Sequence, residues 1–444
     1  MYRIDDLDLI KENLSRISDE AAQKYLDSYE EPTKEEYINV MKDIKSYIKE
    51  KDLIIYGGFA QNVLIGEKNR EDQFYKATNR ADVEVYTPDP IGDSIRIADM
   101  LHKKGYKMVQ CKEGIHNETY KIFANLFNFA DISYMDPNVF KNCPYIKVNG
   151  LKMAHPHFMF TDAYRVYADP MTSYFRLDKS FNRFTTLIKH YSFDEDAEFN
   201  KLTYKKTKEN DEIRKFIRKK IIHNSNLVVI GHNAYNYLVK KLDKKHAINF
   251  NYIQIISSNF KCDSEKITKI LKEKYGKKIY FKRYHPFFQF HGERIEYEYD
   301  GKVVLKLYDN NDRCIIYNFS EKKNSYFGAF SVVMLNLIAD YNFHIVNENK
   351  EEEKNYLTMI VRLIKIRNEF LEKNKFTILD DSPFREFNVY KCFGKPLDPI
   401  RSSFLKGFDK IKKGKKAKFS YTPTGKPGKV PSFRFNDSSG KLKK

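Results

Sequence analysis

The 444-residue sequence is long enough for two or three domains with their own cores, and its formal net charge is +19. No apolar run approaches the length of a transmembrane helix, and the polar start Met1–Asp6 differs from a secretory signal, so we expect a soluble protein without a membrane partner. Five scattered cysteines without a CxxC pair favour a reducing, intracellular compartment and argue against structural zinc.

The first 65 residues predict two helices, a strand and a glycine turn. Apolar residues recur at helical spacing over 3–29, and Thr33 is a suitable N-cap for a second helix over 34–50. A short strand, 53–56, ends in Gly57-Gly58, after which helical spacing resumes. A double glycine before a helix can hold phosphate, because glycine lets the anion approach free backbone N–H groups. A purely steric role for the glycines is the alternative.

The next predicted strand, 82–87, carries two acids. Asp82 and Glu84 are two residues apart, so in a strand both side chains point to the same face. Two negative charges on one face of an otherwise apolar strand are costly unless a positive group lies between them. The pattern therefore suggests a pair of divalent metal ions.

A third acid lies on a later strand. After a helix over 91–104, one long strand is predicted over 121–134, with Asp131 inside it. If this strand is adjacent to the first acidic strand, the three carboxylates converge and can hold two metals. A hydrogen-bonded acid at a strand end is the alternative reading of Asp131.

The stretch 151–192 is predicted to be mainly helical. Its pair His155 and His157 favours a structural or hydrogen-bonding role over metal binding, because a proline separates the two and no cysteine is near. Arg176 and Lys179, together with Arg183, form one basic edge that suits a triphosphate or RNA, with a solvated face as the alternative.

The second half of the chain repeats the first. Residues 229–239 align without a gap on 55–65, and a strand, a helix and a later strand follow at corresponding places. On this alignment Tyr252 replaces Asp82, Gln254 replaces Glu84 and Lys306 replaces Asp131. A copy without the acids cannot hold the metals, which predicts a scaffold or RNA-binding domain. Chance similarity is the alternative.

Two helices, one buried over 329–340 and one over 355–372, complete the predicted core. Beyond Gly394 the pattern becomes rich in Lys, Gly, Ser and Pro, with isolated Phe419, Tyr421, Phe433 and Phe435. The last 39 residues hold twelve lysines and one arginine against two aspartates, so +11 of the +19 charges lie there. We expect a disordered basic tail that binds single-stranded nucleic acid, a solubilising tail being the alternative.

Gly57-Gly58, then Asp82-Val83-Glu84, then Asp131 resemble the polymerase-β-like nucleotidyltransferase signature, with a longer spacing than usual and Glu where many members have Asp. More narrowly, the segments 80–86, 154–159 and 169–177 look like the poly(A) polymerase catalytic subunit of poxviruses and other large nucleocytoplasmic DNA viruses, giant-virus members above all. The resemblance implies an α+β (α/β) fold with an active nucleotidyltransferase domain followed by a degenerate one. We expect the following segments: N-terminal helices 1–34, catalytic domain 35–200, degenerate domain 201–400 and basic flexible tail 401–444.

The same resemblance implies template-independent addition of AMP from ATP to an RNA 3′ end with Mg²⁺ or Mn²⁺. It assigns catalysis and metal binding to Asp82, Glu84 and Asp131, and nucleotide binding to Gly57, Gly58, Arg176 and Lys179. The partners it implies are single-stranded RNA, ATP and either a second copy of the chain or a processivity subunit, in the host cytoplasm (viral factory) and the virion. Another RNA terminal transferase, uridylyl- or oligoadenylate-forming, and a non-catalytic RNA-binding protein are the rival functions.

Overall fold

The computed structural model describes residues 3–28, 32–75, 79–116, 118–193, 202, 211–310, 313–394, 399–414, 418–432, 435 and 437–443. The chain forms two compact units. The first combines 1–134, 146–153 and 406–434, and the second combines 135–145, 154–405 and 435–444. The predicted limits of the four segments stay a prediction.

The described residues form helices and strands in the following order. The helices are α1 (Ile4–Ser28), α2 (Lys34–Glu50), α3 (Gly57–Lys68), α4 (Pro90–Lys103), α5 (Pro137–Asn142), α6 (Pro156–Ala168), α7 (Pro170–Ser173), α8 (Leu177–His190), α9 (Asp211–Ile217), α10 (Gly231–Val239), α11 (Phe260–Tyr275), α12 (Phe330–Val346), α13 (Lys350–Asn374) and α14 (Pro399–Lys412). The strands are β1 (Ile54–Tyr56), β2 (Val83–Thr87), β3 (Gln110–Glu113), β4 (Thr119–Ala124), β5 (Phe127–Tyr134), β6 (Tyr145–Val148), β7 (Leu151–Ala154), β8 (Val228–Ile230), β9 (Ile253–Ser257), β10 (Ile279–Tyr284), β11 (Arg294–Tyr299), β12 (Lys302–Asp309), β13 (Ile315–Ser320), β14 (Ser325–Gly328), β15 (Cys392–Phe393) and β16 (Ser420–Tyr421).

The two sheets share one strand order, which confirms the predicted repeat. The first runs β16-β3-β4-β5-β2-β1-β7-β6 and the second β10-β11-β12-β9-β8-β14-β13-β15. Seven strands correspond in order, β3 to β10, β4 to β11, β5 to β12, β2 to β9, β1 to β8, β7 to β14 and β6 to β13. Each sheet then has one extra edge strand, β16 in the first and β15 in the second. The predicted fold class, two successive copies of one α/β frame, is confirmed.

Local signals explain how the first copy begins. The hydroxyl of Thr33 accepts a hydrogen bond from the Glu36 backbone N–H at 3.2 Å, as expected of an N-cap. The face of α2 that carries Val40, Ile44 and Ile48 is fully buried. This burial secures the helix, since apolar area removed from water is the main favourable term in folding.

The predicted long strand over 121–134 is wrong, because the chain turns back at Asn125 and Leu126. Both residues adopt positive φ, +45° and +64°, the backbone of a tight two-residue hairpin turn, and asparagine tolerates it better than most residues. The result is two antiparallel strands, β4 and β5, with a register shift near Phe123. The turn places Lys121 directly opposite Asp131.

The expectation of a disordered tail is also wrong for the part that the structure describes. Residues 399–412 form α14, and Ser420 and Tyr421 add the edge strand β16 antiparallel to β3. The Phe419 ring lies edge-on to Tyr120 at 5.7 Å. The Asp99 carboxylate accepts hydrogen bonds from the Tyr421 hydroxyl and, at 2.9 Å, from a glycine N–H further along the tail. Phe433 lies outside the described residues.

The second unit has an apolar centre in α12, whose faces are buried nearly all round. Cys314 and Cys392 lie near the β13–β15 edge with Cα atoms 5.5 Å apart, a separation that a disulfide can bridge. Among the described residues, Cys111, Cys143 and Cys262 form no disulfide. In the part of the chain that the structure describes, no helix is both long and apolar enough to cross a bilayer.

Candidate active site

The predicted acids lie on, or one residue before, two neighbouring strands of the first unit. β2 and β5 are parallel, and their register pairs Glu84 with Asp131. Side chains paired in this way lie on the same face about 4.8 Å apart at the backbone. Asp82 precedes β2 by one residue, so its position is set by the loop that leads into the strand.

Asn128 connects two of the three acids. Its side-chain amide donates to Asp82 Oδ2 at 3.1 Å and to Asp131 Oδ1 at 2.9 Å. Oxygens from both acids therefore converge on one polar atom. The Lys121 ammonium completes the arrangement by donating to both oxygens of Asp131, at 2.8 and 2.7 Å.

The loop before β2 is fixed by Tyr37. Its hydroxyl donates to the Ala81 carbonyl at 2.7 Å, and its ring stacks on Phe129 at 5.6 Å. The Arg80 guanidinium lies 6.0 Å from the same ring. Burial, and then the nearby Asp82 carboxylate, raise the pKa of Tyr37 to about 12, so the phenol remains a neutral donor at physiological pH.

The Glu84 carboxylate contacts the double-glycine turn. The Gly58 backbone N–H, at the N-terminus of α3, donates to Glu84 Oε2 at 2.7 Å. A carboxylate suits this position, because a helix N-terminus stabilises negative charge. Gly57 has a φ of +68°, and a Cβ there would lie 1.8 Å from Glu84 Oε2, so both conformation and space require glycine.

The donor set fits a divalent metal ion in its chemistry. Hard cations prefer carboxylate oxygens, and Asp82 and Asp131 already direct theirs to one point, the Asn128 amide. The Lys121 ammonium lies 2.7 Å from Asp131 and supplies positive charge at this point. Within the described ranges no three Asp, Glu, His or Cys side chains are already clustered as a complete metal site.

The second unit keeps the strand arrangement of the first but has different charged residues at the corresponding positions. Gln254 pairs with Lys306 across β9 and β12, in the places of Glu84 and Asp131. Glu296 on β11 faces Lys306, just as Lys121 on β4 faces Asp131, so the acid and the lysine have changed strands. The Lys306 ammonium lies 3.3 Å from Glu296. The predicted replacements Gln254 and Lys306 are therefore confirmed in register.

Lys306 makes metal binding in the second unit unfavourable. Its own burial acts to lower its pKa, but the neighbouring Tyr252, Tyr308 and Glu296 outweigh that effect and raise it, so the ammonium remains charged. A fixed positive charge then lies where the first unit has a carboxylate. The glycine turn is retained: Gly231 has a φ of +57°, and the His232 N–H donates to the Gln254 side-chain oxygen at 3.3 Å.

The predicted basic edge belongs to the second unit. Arg176 ends a 3₁₀ turn just before α8, and Lys179 lies in the first turn of that helix; both are exposed. The Arg176 guanidinium lies 5.5 Å from the Phe175 ring. Their nucleotide-binding role stays a prediction.

The histidine pair has the structural role expected from the sequence. His155 caps α6 by accepting from the His157 N–H at 3.2 Å. Burial lowers the pKa of His157 to about 4, so its ring is neutral at physiological pH.

Sequence reasoning missed Lys121 and Asn128. Both are brought to the acids by the turn at Asn125 and Leu126, which the apolar pattern of 121–134 conceals. Asparagine in the middle of a strand-like run is the one local signal for the turn, because asparagine favours turns and is rare inside strands.

Comparison with known protein families gives two adjoining matches. Residues 42–173 match the family described as "Poly(A) polymerase catalytic subunit". Residues 185–443, more than half of the chain, match "APMV, Putative poly(A) polymerase, catalytic subunit, C-terminal".

Relatives with these names come from large DNA viruses. A catalytic-subunit homologue from Acanthamoeba polyphaga mimivirus is 28% identical over 95% of this chain and 78% of its own length. One from African swine fever virus (strain Badajoz 1971 Vero-adapted) is 28% identical over 33% of this chain and 32% of its own length. A crystal structure of the Megavirus polyadenylate synthase superposes with a TM-score of 0.92 at 28% identity, covering 100% of this chain and 93% of that one.

Proposed function

This chain belongs to the poly(A) polymerase catalytic subunit family, and we propose that, as a polynucleotide adenylyltransferase, it transfers AMP from ATP to the 3′ end of viral mRNA without a template. The observation that carries the proposal is the convergence of Asp82 and Asp131 on Asn128, next to the glycine turn at the start of α3. The second unit has the same strand arrangement without these acids, so the acids are not required by the fold itself.

Members of this family use a nucleotide and a divalent metal, and here we propose Mg²⁺ or Mn²⁺ held by Asp82, Glu84 and Asp131. Metal ions held by these residues would increase the acidity of the RNA 3′-hydroxyl and neutralise charge that develops on the phosphates. The protein contributes the two strands that hold the carboxylates in register. Asn128 keeps Asp82 and Asp131 facing each other before the metal binds.

The glycine turn is the proposed site for the β- and γ-phosphates. The Gly57 and Gly58 N–H groups lie at the positive end of α3, and Gly58 already binds a carboxylate oxygen there. A phosphate oxygen would replace Glu84 at this N–H, which frees the Glu84 carboxylate for the metal. Arg176 and Lys179 are proposed to bind nucleotide, because both are basic and exposed.

We also propose a partner subunit, either a second copy of this chain or a processivity factor. The apolar side chains of α1 support this part of the proposal, since Ile4, Leu9 and Leu14 are each more than half exposed. Sedimentation of the purified chain alone separates the two choices, because only self-association gives a dimer. The host cytoplasm, in the viral factory, and the virion are the proposed locations.

The function is tested by primer extension with each of the four NTPs, in Mg²⁺ and in Mn²⁺. We expect ATP to be incorporated and the other three to be poor substrates. Preferential use of UTP would assign the chain to the uridylyltransferases, and products of only a few residues would make it an oligoadenylate-forming enzyme. No incorporation with either metal would leave a non-catalytic RNA-binding protein.

The site is tested by the variants Asp82→Ala, Glu84→Gln and Asp131→Ala. Each is expected to abolish AMP incorporation while RNA affinity stays within about twofold, because the acids do not bind the RNA backbone. A matched control is Asp52→Asn, which neutralises an exposed acid paired with Lys152 in the same unit and is expected to remain active. Full activity in any of the three site variants would contradict the assignment.

A further inference from the structure

Five cations of the second unit form a group on its surface. They come from three segments: Arg218 from the helical turn after α9, Lys240 and Lys241 from the end of α10, and Lys322 and Lys323 from the turn before β14. We call them the basic cluster. All five are exposed.

Lys241 and Lys323 both lie near the Tyr237 ring, 4.7 and 5.9 Å from its centroid, so the end of α10 and the turn before β14 meet there. Partial burial of its ammonium lowers the pKa of Lys323, and Lys240, Arg218, Lys241 and Lys322 lower it further. Among the residues that the structure describes, none of the five forms an ion pair. Other lysines of the same unit do, such as Lys282 with Glu298 at 2.7 Å. The described part of the cluster therefore carries a clear excess of positive charge, with Asp211 near Arg218 as a neighbouring acid.

Two aromatic rings hold the ammonium groups in place. Tyr237 and Phe327 stack with centroids 4.5 Å apart and an interplanar angle of 12°. Lys241 lies 4.7 Å from the Tyr237 ring, and Lys323 lies 4.8 Å from the Phe327 ring. Because Phe327 is buried and Tyr237 is only partly exposed, this pair orients cations and is not an open platform for a base.

We propose that the basic cluster is an RNA-binding site of the second unit that contacts the sugar–phosphate backbone. The proposal rests on the proposed function, in which the acceptor and the product are RNA. Several cations held close together suit a ligand with regularly spaced phosphates, whose binding releases counterions irrespective of base sequence. The second unit, which lacks the acids, would then bind the RNA whose 3′ end the first unit extends.

The test compares two triple variants of equal charge. Lys241→Ala/Lys322→Ala/Lys323→Ala removes cations of the cluster. The control Lys266→Ala/Lys274→Ala/Lys277→Ala removes three exposed lysines on and just after α11 that also have no ion pair among the described residues. Binding of a single-stranded oligoadenylate of about 20 nucleotides is measured across a salt series.

For the cluster variant we expect roughly tenfold weaker binding and a salt slope smaller by about 2, since each lost phosphate contact reduces the slope by about 0.7. The control variant is expected to keep the wild-type slope. An unchanged slope in the cluster variant, or an equal change in both variants, would overturn the proposal. The proposal would also be overturned if the cluster variant bound RNA as the wild type does but lost binding to ATP or to anionic phosphatidylserine vesicles. If the alanine variant unfolds below the assay temperature, Lys→Gln at the same positions replaces it.

The acid variants separate this inference from the proposed function. Asp131→Ala is expected to lose incorporation and keep the wild-type salt slope, whereas the cluster variant keeps single AMP addition at saturating primer. If the acid variant is inactive but the cluster variant keeps the wild-type salt dependence of RNA binding, only the proposed RNA site is rejected. If the cluster variant shows a changed salt dependence of RNA binding and the acid variants are fully active, only the catalytic assignment is rejected.

Discussion

Replacing Lys121 by methionine tests whether its ammonium stands in for a metal ion at Asp131. The side chains of Lys121 and Asp131 keep 33% and 16% of their exposure, so the pair lies between a surface ion pair and a buried one. Discounted for that exposure, its loss is expected to lower the free energy of unfolding of the metal-free protein by about 1–2 kcal/mol. Methionine keeps most of the volume, so the change is chiefly the removed charge.

The metal dependence of that loss is the decisive measurement. With Mn²⁺ bound, the ion neutralises Asp131 in both proteins, and the difference in stability is expected to vanish. By linkage, the variant then binds Mn²⁺ roughly 5- to 30-fold more tightly. Urea unfolding in EDTA and in Mn²⁺, with Mn²⁺ titration followed by electron paramagnetic resonance, provides both quantities.

Lys112→Met is the matched control for Lys121→Met. Lys112 is the register partner of Lys121 on β3, lies 5.7 Å from the Phe123 ring and forms no ion pair in the described part of the chain. We expect its removal to leave Mn²⁺ affinity unchanged. If Lys121→Met is destabilised equally with and without Mn²⁺, Lys121 has only a structural role and the reasoning is refuted.

Three further predictions concern the glycine turn, the tail and pH. Gly57→Ala should abolish incorporation by displacing Glu84, whereas Gly105→Ala, also at positive φ but in open space, should lose only stability, about 1 kcal/mol in a melt. Asp99→Ala should release Tyr421 and speed tryptic cleavage of the tail about tenfold, and unchanged cleavage would show that β16 is held by other contacts. Stability to urea should fall as pH drops from 6.5 towards 4, because burial lowers the pKa of three histidines to about 4 and the unfolded chain binds more protons; a flat profile would contradict their neutral burial. These histidines are His157, His232 and His344.

The repeat shows how much of the fold can be predicted from sequence patterns alone. Strand and helix types follow from apolar spacing, and a gap-free match of 229–239 on 55–65 places two copies of one frame. The match extends to the register, where Gln254 and Lys306 occupy the positions of Glu84 and Asp131. Such agreement is expected, because a one-residue slip in a strand reverses every side chain and is strongly selected against in a buried sheet.

The tail shows where composition misleads. A segment rich in lysine and glycine buries too little to fold alone, but it can gain hydrogen bonds by adding to the edge of an existing sheet. β16 does so on β3, and Asp99 holds the residues that follow. The edge and the acid are far away in sequence, so no local pattern reveals them.

The sequence by itself determined the three acids, the glycine turn before α3 and the loss of acids in the second copy, because these depend on residue type and on spacing within single strands. Only the tertiary structure decided what each acid contacts. The turn at Asn125 and Leu126 brings Lys121 and Asn128 to Asp131, while Glu84 turns to the Gly58 N–H. The physical reason is that charge pairing acts across strands, and the partner of an acid is fixed by the register of the hairpin and not by its neighbours in the chain.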